Sequence, residues 1–347
     1  MFGWVRNEMT ILSHIIILLC DILAHGTRIQ EYDNALSEYQ KIVDNCYEEK
    51  AQILLSIGNA HKGNEEYLEA AIYYIQSIKT TTQLNSQLPL NREDRRIYLE
   101  SCYECGNSLT AINEYDESIH YYEESIKYAA PHLFPRQYIE LSLGDTYRKR
   151  GHLDSTHNDY MESRRHFELE KQTNIELRGI DFKIGQSYIG EALADSYNSR
   201  QYFTEAIQHF ENANNNSYSN PLLFSYWGFA IQKLNNTIEN GSNHLFTKAL
   251  LLQENYNKIS NRTAQAYYDY AVCLAMMGLD QKSIYNLKIA HSISRYTYCW
   301  AADMNFSNFA GIFDSDLWKD IKKEIEKEIN FIKSEWHLKK EQHNKTL

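Results

Sequence analysis

Four stretches of this 347-residue chain repeat one pattern of small and aromatic residues. They begin at Ile57 (IGNAHKGNEEYLEAAIYYIQSIK), Cys105 (CGNSLTAINEYDESIHYYEESIK), Leu143 (LGDTYRKRGHLDSTHNDYMESRR) and Leu193 (LADSYNSRQYFTEAIQHFENANN). Each opens with an apolar residue followed by a small one: Gly58, Gly106, Gly144 and Ala194. Twelve positions later stands a second small side chain, Ala70, Ser118, Thr156 or Ala206, and four beyond that an aromatic ring, Tyr74, Tyr122, Tyr160 or Phe210. Two antiparallel helices approach closely only where a side chain is nearly absent, and the aromatic fills the wider space beside that contact. Polar turn residues (Asn64, Asn113, Gly151, Ser199-Arg200) separate the two halves of each stretch. One such hairpin cannot bury its outer apolar stripe, so the pattern demands a stack of several, an all-α solenoid. With only 4 prolines and 14 glycines, the composition suits long helices joined by short corners.

The pattern resembles the tetratricopeptide repeat. That family places a bulky residue at position 4, Leu at 7, Gly at 8, Tyr at 11, Ala at 20, an aromatic at 24 and Ala at 27. Leu54, Ile57, Gly58, Tyr67, Ala70 and Tyr74 match in the second unit, and Leu143, Gly144, Tyr147, Gly151 and Tyr160 in the fourth. The fifth gives Leu193, Ala194, Tyr197, Ala206, Phe210 and Ala213. Looser units flank these. A first would pair Ile11–His25 with Ile29–Asn45; a sixth runs from Pro221 through Phe224, Trp227, Gly228 and Ala249, its turn about two residues longer than usual; a seventh carries Tyr267, Ala271, Leu274, Gly278 and Ala290. The resemblance implies a right-handed α-α superhelix of about seven antiparallel hairpins over residues 1–294. Steps of 48, 38 and 50 residues between Gly58, Gly106, Gly144 and Ala194 exceed the family's usual ~34, which places insertions near 80–95 and 168–185. Residues 295–347 read as a closing loop and a capping helix. Asp314, Ser315 and Asp316 suit the helix start, and Leu317, Trp318, Ile321, Ile325, Ile329 and Ile332 recur at helical spacing. Beyond Trp336 the sequence is polar and is expected to fray.

The net charge is −11 with no dominant Lys/Arg cluster, which argues against a nucleic-acid partner. Such a surface suits a protein or peptide partner, with a slight lean towards one carrying a basic motif. The apolar stretch Ile11–Ala24 is interrupted by His14 and Asp21 and falls well short of a membrane span of ~20 residues, so it reads as a first repeat helix. Six scattered cysteines fit a reducing cytoplasm. Cys102 and Cys105 have the spacing of half a zinc or redox site, but they fall at core positions without a second pair and read as buried thiols. No HExxH, GxSxG or phosphate loop occurs; Gly179, Gly185 and Gly190 read as close-packing sites. Neither cofactor, metal nor catalysis is expected.

In this family the first helix of each hairpin lines a concave groove through positions 2, 5, 9, 12 and 13. Carried over, these are Glu100, Tyr103, Asn107 and Thr110, then Tyr138, Leu141, Asp145, Arg148 and Lys149, then Tyr188, Glu191, Asp195 and Asn198. Tyrosine faces among mixed charges suit an extended peptide or a helix, although a merely solvated helix face remains the competing reading. Chaperone-binding members grip a C-terminal carboxylate with Lys at position 5 and Asn at 9. Asn59 and Asn107 are in place, but Leu55 and Tyr103 replace the lysine, so that clamp is missing. The expectation is a non-catalytic interaction scaffold with a protein or peptide partner, no nucleic acid and no membrane. Two alternatives stay open: an exported or membrane-associated assembly factor with 11–24 as signal or anchor, and a peptide-sensing regulator.

Overall fold

A computed structural model describes residues 47–85, 92–129, 136–154, 156–173, 177–235, 240–259, 263–293 and 316–345. The expected first hairpin, including the 11–24 stretch, and the closing loop over 295–315 lie outside these residues. Thirteen helices and no strand occur among the described residues. None of these helices is long and apolar enough to cross a membrane. The described residues fall into two compact units, one within Met1–Ile139 and Phe331–Leu347 and the other within Glu140–Asn330.

The first unit contains two helical hairpins, α1 (Tyr47–Gly63) with α2 (Tyr67–Asn85) and α3 (Arg92–Ala111) with α4 (Tyr115–Tyr128). A Cβ on Gly58 would stand 2.6 Å from the Tyr74 ring, and one on Gly106 2.7 Å from the Tyr122 ring. No larger residue fits either seat as it stands. Each tyrosine then directs its hydroxyl to an asparagine beside the glycine: Tyr74 donates to Asn59 Oδ1 at 2.8 Å and Tyr122 to Asn107 Oδ1 at 2.7 Å. Ser77 and Ser125 close the far ends by donating to the carbonyls of Ala51 and Leu99. Each hairpin turns through one left-handed residue, Glu65 or Asn113, followed by a backbone bond from Glu66 N to His61 O or from Glu114 N to Leu109 O. That bond satisfies a carbonyl the helix end would otherwise orphan. Seven of these residues, Gly58, Asn59, Glu66, Tyr67, Glu69, Tyr74 and Ser77, recur 48 positions later as Gly106, Asn107, Glu114, Tyr115, Glu117, Tyr122 and Ser125.

The second unit holds α5 (Arg136–Asp154, whose first four residues count with the first unit), α6 (His157–Thr173), α7 (Ile180–Ala194) and α8 (Ser199–Asn215). Then follow α9 (Pro221–Asn235), α10 (Asn240–Ile259), α11 (Ala264–Met276) and α12 (Asp280–Ile293). Two pairings expected from the sequence are corrected here. Tyr160 does not face Gly144; it lies against Gly151, and Phe167 fills the seat at Gly144. The cause is that α5 runs on through Gly151 to Asp154, so this hairpin turns later and both partners shift outward. Likewise Phe210 packs on Gly185, where a Cβ would stand 2.4 Å from the ring, and not on Ala194. Helix α7 ends at Ala194, leaving Leu193 36% and Tyr197 92% exposed, so neither serves as a repeat core position. In the sixth hairpin Gly228 meets Phe246, eighteen residues on, two more than the sixteen of the first two hairpins. Gly179 starts α7 at φ 90°, and Gly190 receives Tyr160 from α6.

The last helix, α13 (Asp316–Lys345), divides between the units at Asn330. Its first half lays Trp318, Ile321 and Ile325 into the core of the second unit, a continuous cluster that also includes Phe210, Phe224, Tyr268, Ile284 and Leu287. Its second half belongs to the first unit, where Trp336 is fully buried. The polar stretch after Trp336, expected to fray, continues the helix to Lys345. It is held by ion pairs that no single-residue pattern announces: Lys339 to Glu69 at 2.6 Å and Lys340 to Glu117.

Candidate functional site

In the first unit, the first helices of consecutive hairpins, α1 and α3, are joined by polar bridges. Arg96 on α3 donates to Gln52 on α1 at 3.0 Å and to Glu100 and Glu93 on its own helix. One turn or more along, Lys62 of α1 bonds Glu104 of α3 at 2.5 Å, and Glu104 also accepts from Asn107 Nδ2 at 3.0 Å. Asn107 thereby links the charged pair to Tyr122 behind it. Burial raises the Glu100 carboxyl against the pull of Arg96. Tyr103, half-buried, tilts against Tyr122 with ring centroids 5.9 Å apart. Ser118 donates to the Gly106 carbonyl and so accepts from the Thr110 hydroxyl at 2.7 Å, and this threonine helps close the hairpin. Tyr103 and Asn107, one helical turn apart on α3, thus border a strip of fixed, partly exposed charges. Lys62, Arg96 and Glu104 were missed by the sequence reading. Lys62 occupies in the second repeat unit the place Thr110 holds in the third, which was the available signal.

In the second unit the expected residues separate by role. Asp145 on α5 accepts from Lys183 on α7 and lies 3.7 Å from Arg148. Burial acts to raise its carboxyl, but these two cations outweigh burial and hold it below the usual range. Arg148 is itself buried, 3.2 Å from His152, and braces α5. Lys149 is half-buried, and Tyr138, which counts with the first unit, is exposed. Asp195 and Asn198 form the turn between α7 and α8: Asp195 accepts from Tyr197 N at 3.0 Å and from Asn198 Nδ2 at 2.7 Å. Tyr188 and Glu191 meet through Arg164 of α6. The guanidinium lies 4.8 Å from the Tyr188 ring centroid and bonds the fully buried Glu191 at 2.7 Å. His209 stacks on Tyr188, and its Nδ1 pairs with buried Asp181 at 2.7 Å, which also takes Lys171 at 2.7 Å. Burial would raise Asp181, but His209 and Lys171 outweigh it and keep the carboxyl low. This charged seam was legible only in part, because Arg164, Asp181 and His209 sit at no repeat position that the family assigns to binding.

These surfaces offer charges fixed by their neighbours beside aromatic faces. Cys102 and Cys105 are both buried in α3, and burial pushes their thiols up. The Cys273 thiol is likewise pushed up to about 12 by burial. Among the described residues no group of three or more His, Cys, Asp or Glu is placed to hold a metal ion.

No protein-family model and no curated protein sequence matches the chain. Solved structures do. A tetratricopeptide repeat protein from Parabacteroides merdae superposes with a TM-score of 0.53 at 12% identity, over 92% of this chain and 98% of that one. The chain has the tetratricopeptide-like fold. Two further structures overlap at a TM-score of 0.48. The Rap conjugation gene regulator of plasmid pLS20, solved with a peptide, is 13% identical over 84% of this chain and 75% of its own. The apo quorum sensor NprR from B. thuringiensis is 11% identical over 93% and 92%. In this tetratricopeptide-like chain five glycine seats, at Gly58, Gly106, Gly144, Gly185 and Gly228, each receive an aromatic ring from the following helix.

Proposed function

We propose that the protein is a non-catalytic interaction scaffold that binds a peptide or helix along the first-helix face of its tetratricopeptide-like hairpins. The observation that carries this reading is the strip on α1 and α3, where Arg96, Glu100, Lys62 and Glu104 are fixed by one another beside Tyr103 and Asn107. Charges already ordered by neighbours lose little freedom on binding, and a half-buried tyrosine supplies contact area at low entropic cost. The buried thiols, held protonated, offer no nucleophile. Tyr188 with Arg164 provides a comparable aromatic and cationic patch in the second unit.

A photo-crosslinking side chain introduced at Tyr103 tests this in the native host, with the same group at Tyr285, exposed on α12, as the control. Discrete adducts at position 103, lost on Lys62→Glu/Arg96→Glu, support the reading. Adducts at 285 alone, or adducts at 103 indifferent to the charge reversals, overturn it.

A further inference from the structure

The second helices of the first unit present carboxylates at matching places. Glu69 lies in the first turn of α2, Glu117 in the first turn of α4, and Glu114 is the residue preceding α4. Acidic side chains are favoured there by the helix dipole, and because the hairpins repeat, Glu69 and Glu117 occupy equivalent positions in adjacent hairpins. The segment Phe331–Lys345 answers this row with cations. Lys339 pairs with Glu69 at 2.6 Å, Lys340 pairs with Glu117, and Lys333 lies 3.9 Å from Glu114. Lys333, Trp336, Lys339 and Lys340 share one face by helical spacing, with the tryptophan at its centre. Lys340 Nζ also lies 5.9 Å from the Trp336 ring centroid.

Two observations indicate a seat made for exchange and not for permanent packing. The Trp336 indole N–H is buried with no acceptor among the described residues, which offsets part of what burying the ring contributes to the seated state. The lysine partners all remain about a third exposed, so the pairs are individually weak and screened by salt. On the outward side Phe331 and Leu338 remain exposed. Burial raises the Glu114 carboxyl, while Lys333, His337 and Lys340 pull it back, so this acid gains from a cation in the seat.

We propose that the row Glu69–Glu114–Glu117 is a docking site for a lysine-rich helix anchored by one aromatic residue, and that Phe331–Lys345 is its resident, displaceable occupant. This deepens the scaffold reading, on which it rests, by naming a second face and a partner chemistry. A partner helix with cations three and four positions from an aromatic competes with the chain's own segment and must displace it to bind.

The test uses the full chain and a fluorescein-labelled peptide of residues 331–347, read by anisotropy. Wild type, with the seat filled, binds the peptide weakly. Lys339→Glu/Lys340→Glu frees the seat and tightens binding about tenfold, as the loss of two such ion pairs predicts. Adding Glu69→Lys/Glu117→Lys to that variant abolishes binding of the peptide and restores the seat to the chain's own helix, now with the charges exchanged. A peptide carrying the reversed charges then binds the variant bearing Glu69→Lys/Glu117→Lys alone. Far-UV circular dichroism confirms that each variant keeps its helices. A folded Lys339→Glu/Lys340→Glu chain that binds no tighter than wild type, or peptide affinity indifferent to Glu69→Lys/Glu117→Lys, overturns the proposal. The crosslinking result at Tyr103 reads a different face in wild-type protein. Its failure alongside successful peptide binding therefore counts against the first-helix reading alone.

Discussion

At the scale of single residues, Gly106 and Tyr122 form a fitted pair: a Cβ on the glycine would stand 2.7 Å from the ring. Gly106→Ala is therefore expected to cost about 1–3 kcal/mol by overpacking, measured by urea denaturation. Gly106→Ala/Tyr122→Leu should recover part of that loss, since a smaller side chain leaves room for the methyl. Tyr122 and Tyr74 were legible in the sequence because their spacing from the glycine repeats. Asp181 was not, because its partners Lys171 and His209 come from α6 and α8 and share no spacing with it. Its carboxyl lies below the ordinary value in the fold, so the stability it adds is complete above the unfolded carboxyl's pKa of about 4. That stability drains as pH falls through the lower folded value. Asp181→Asn should then cost about 1–3 kcal/mol near neutrality. The gap from wild type should close in strong acid; denaturation series at neutral and acid pH measure it. A gap that widens in acid would contradict the assignment.

At the scale of elements, the hairpin of α5 and α6 carries two glycine seats where the first two hairpins have one. Gly144 would place a Cβ 2.5 Å from Phe167, whereas Gly151 would place one 3.1 Å from Tyr160. Gly144→Ala should therefore destabilise more than Gly151→Ala, by about 1 kcal/mol or more. The two sites are about 10 Å apart along the helix, so the double substitution should cost nearly the sum. Thermal unfolding of the three variants checks both statements. The helices themselves were legible from composition and periodicity, but the register of this hairpin was not. Gly151 has the chemistry of a turn residue, yet α5 continues through it to Asp154, where it takes the Tyr160 ring. At Leu193 the motif matched by letters and failed by place, because α7 stops one residue later and Gly185 already serves Phe210.

At the scale of the molecule, a repeat array gains stability from neighbour contacts, so local damage stays local. Phe167→Ala should cost about 3–5 kcal/mol and lower amide protection in α5, α6 and α7 more than in α1 and α2. Hydrogen exchange by mass spectrometry reads this directly; uniform loss of protection would mean one cooperative block. The hairpin architecture was legible because it is written in a repeated pattern, whereas the seating of Phe331–Lys345 depends on carboxylates more than two hundred residues away. The 48-residue copying of contacts between the first two hairpins has a kinetic consequence. Gly58 offers Tyr122 nearly the socket it offers Tyr74, so contact chemistry hardly distinguishes the correct partner of α1 from its duplicate. What distinguishes them is tether length: closing a turn of a few residues in place of some fifty favours the neighbour by about 2–3 kcal/mol. The three residues between α1 and α2 therefore act as the proofreader of the pair, and lengthening them with glycines would leave the refolding chain trading partners between twins.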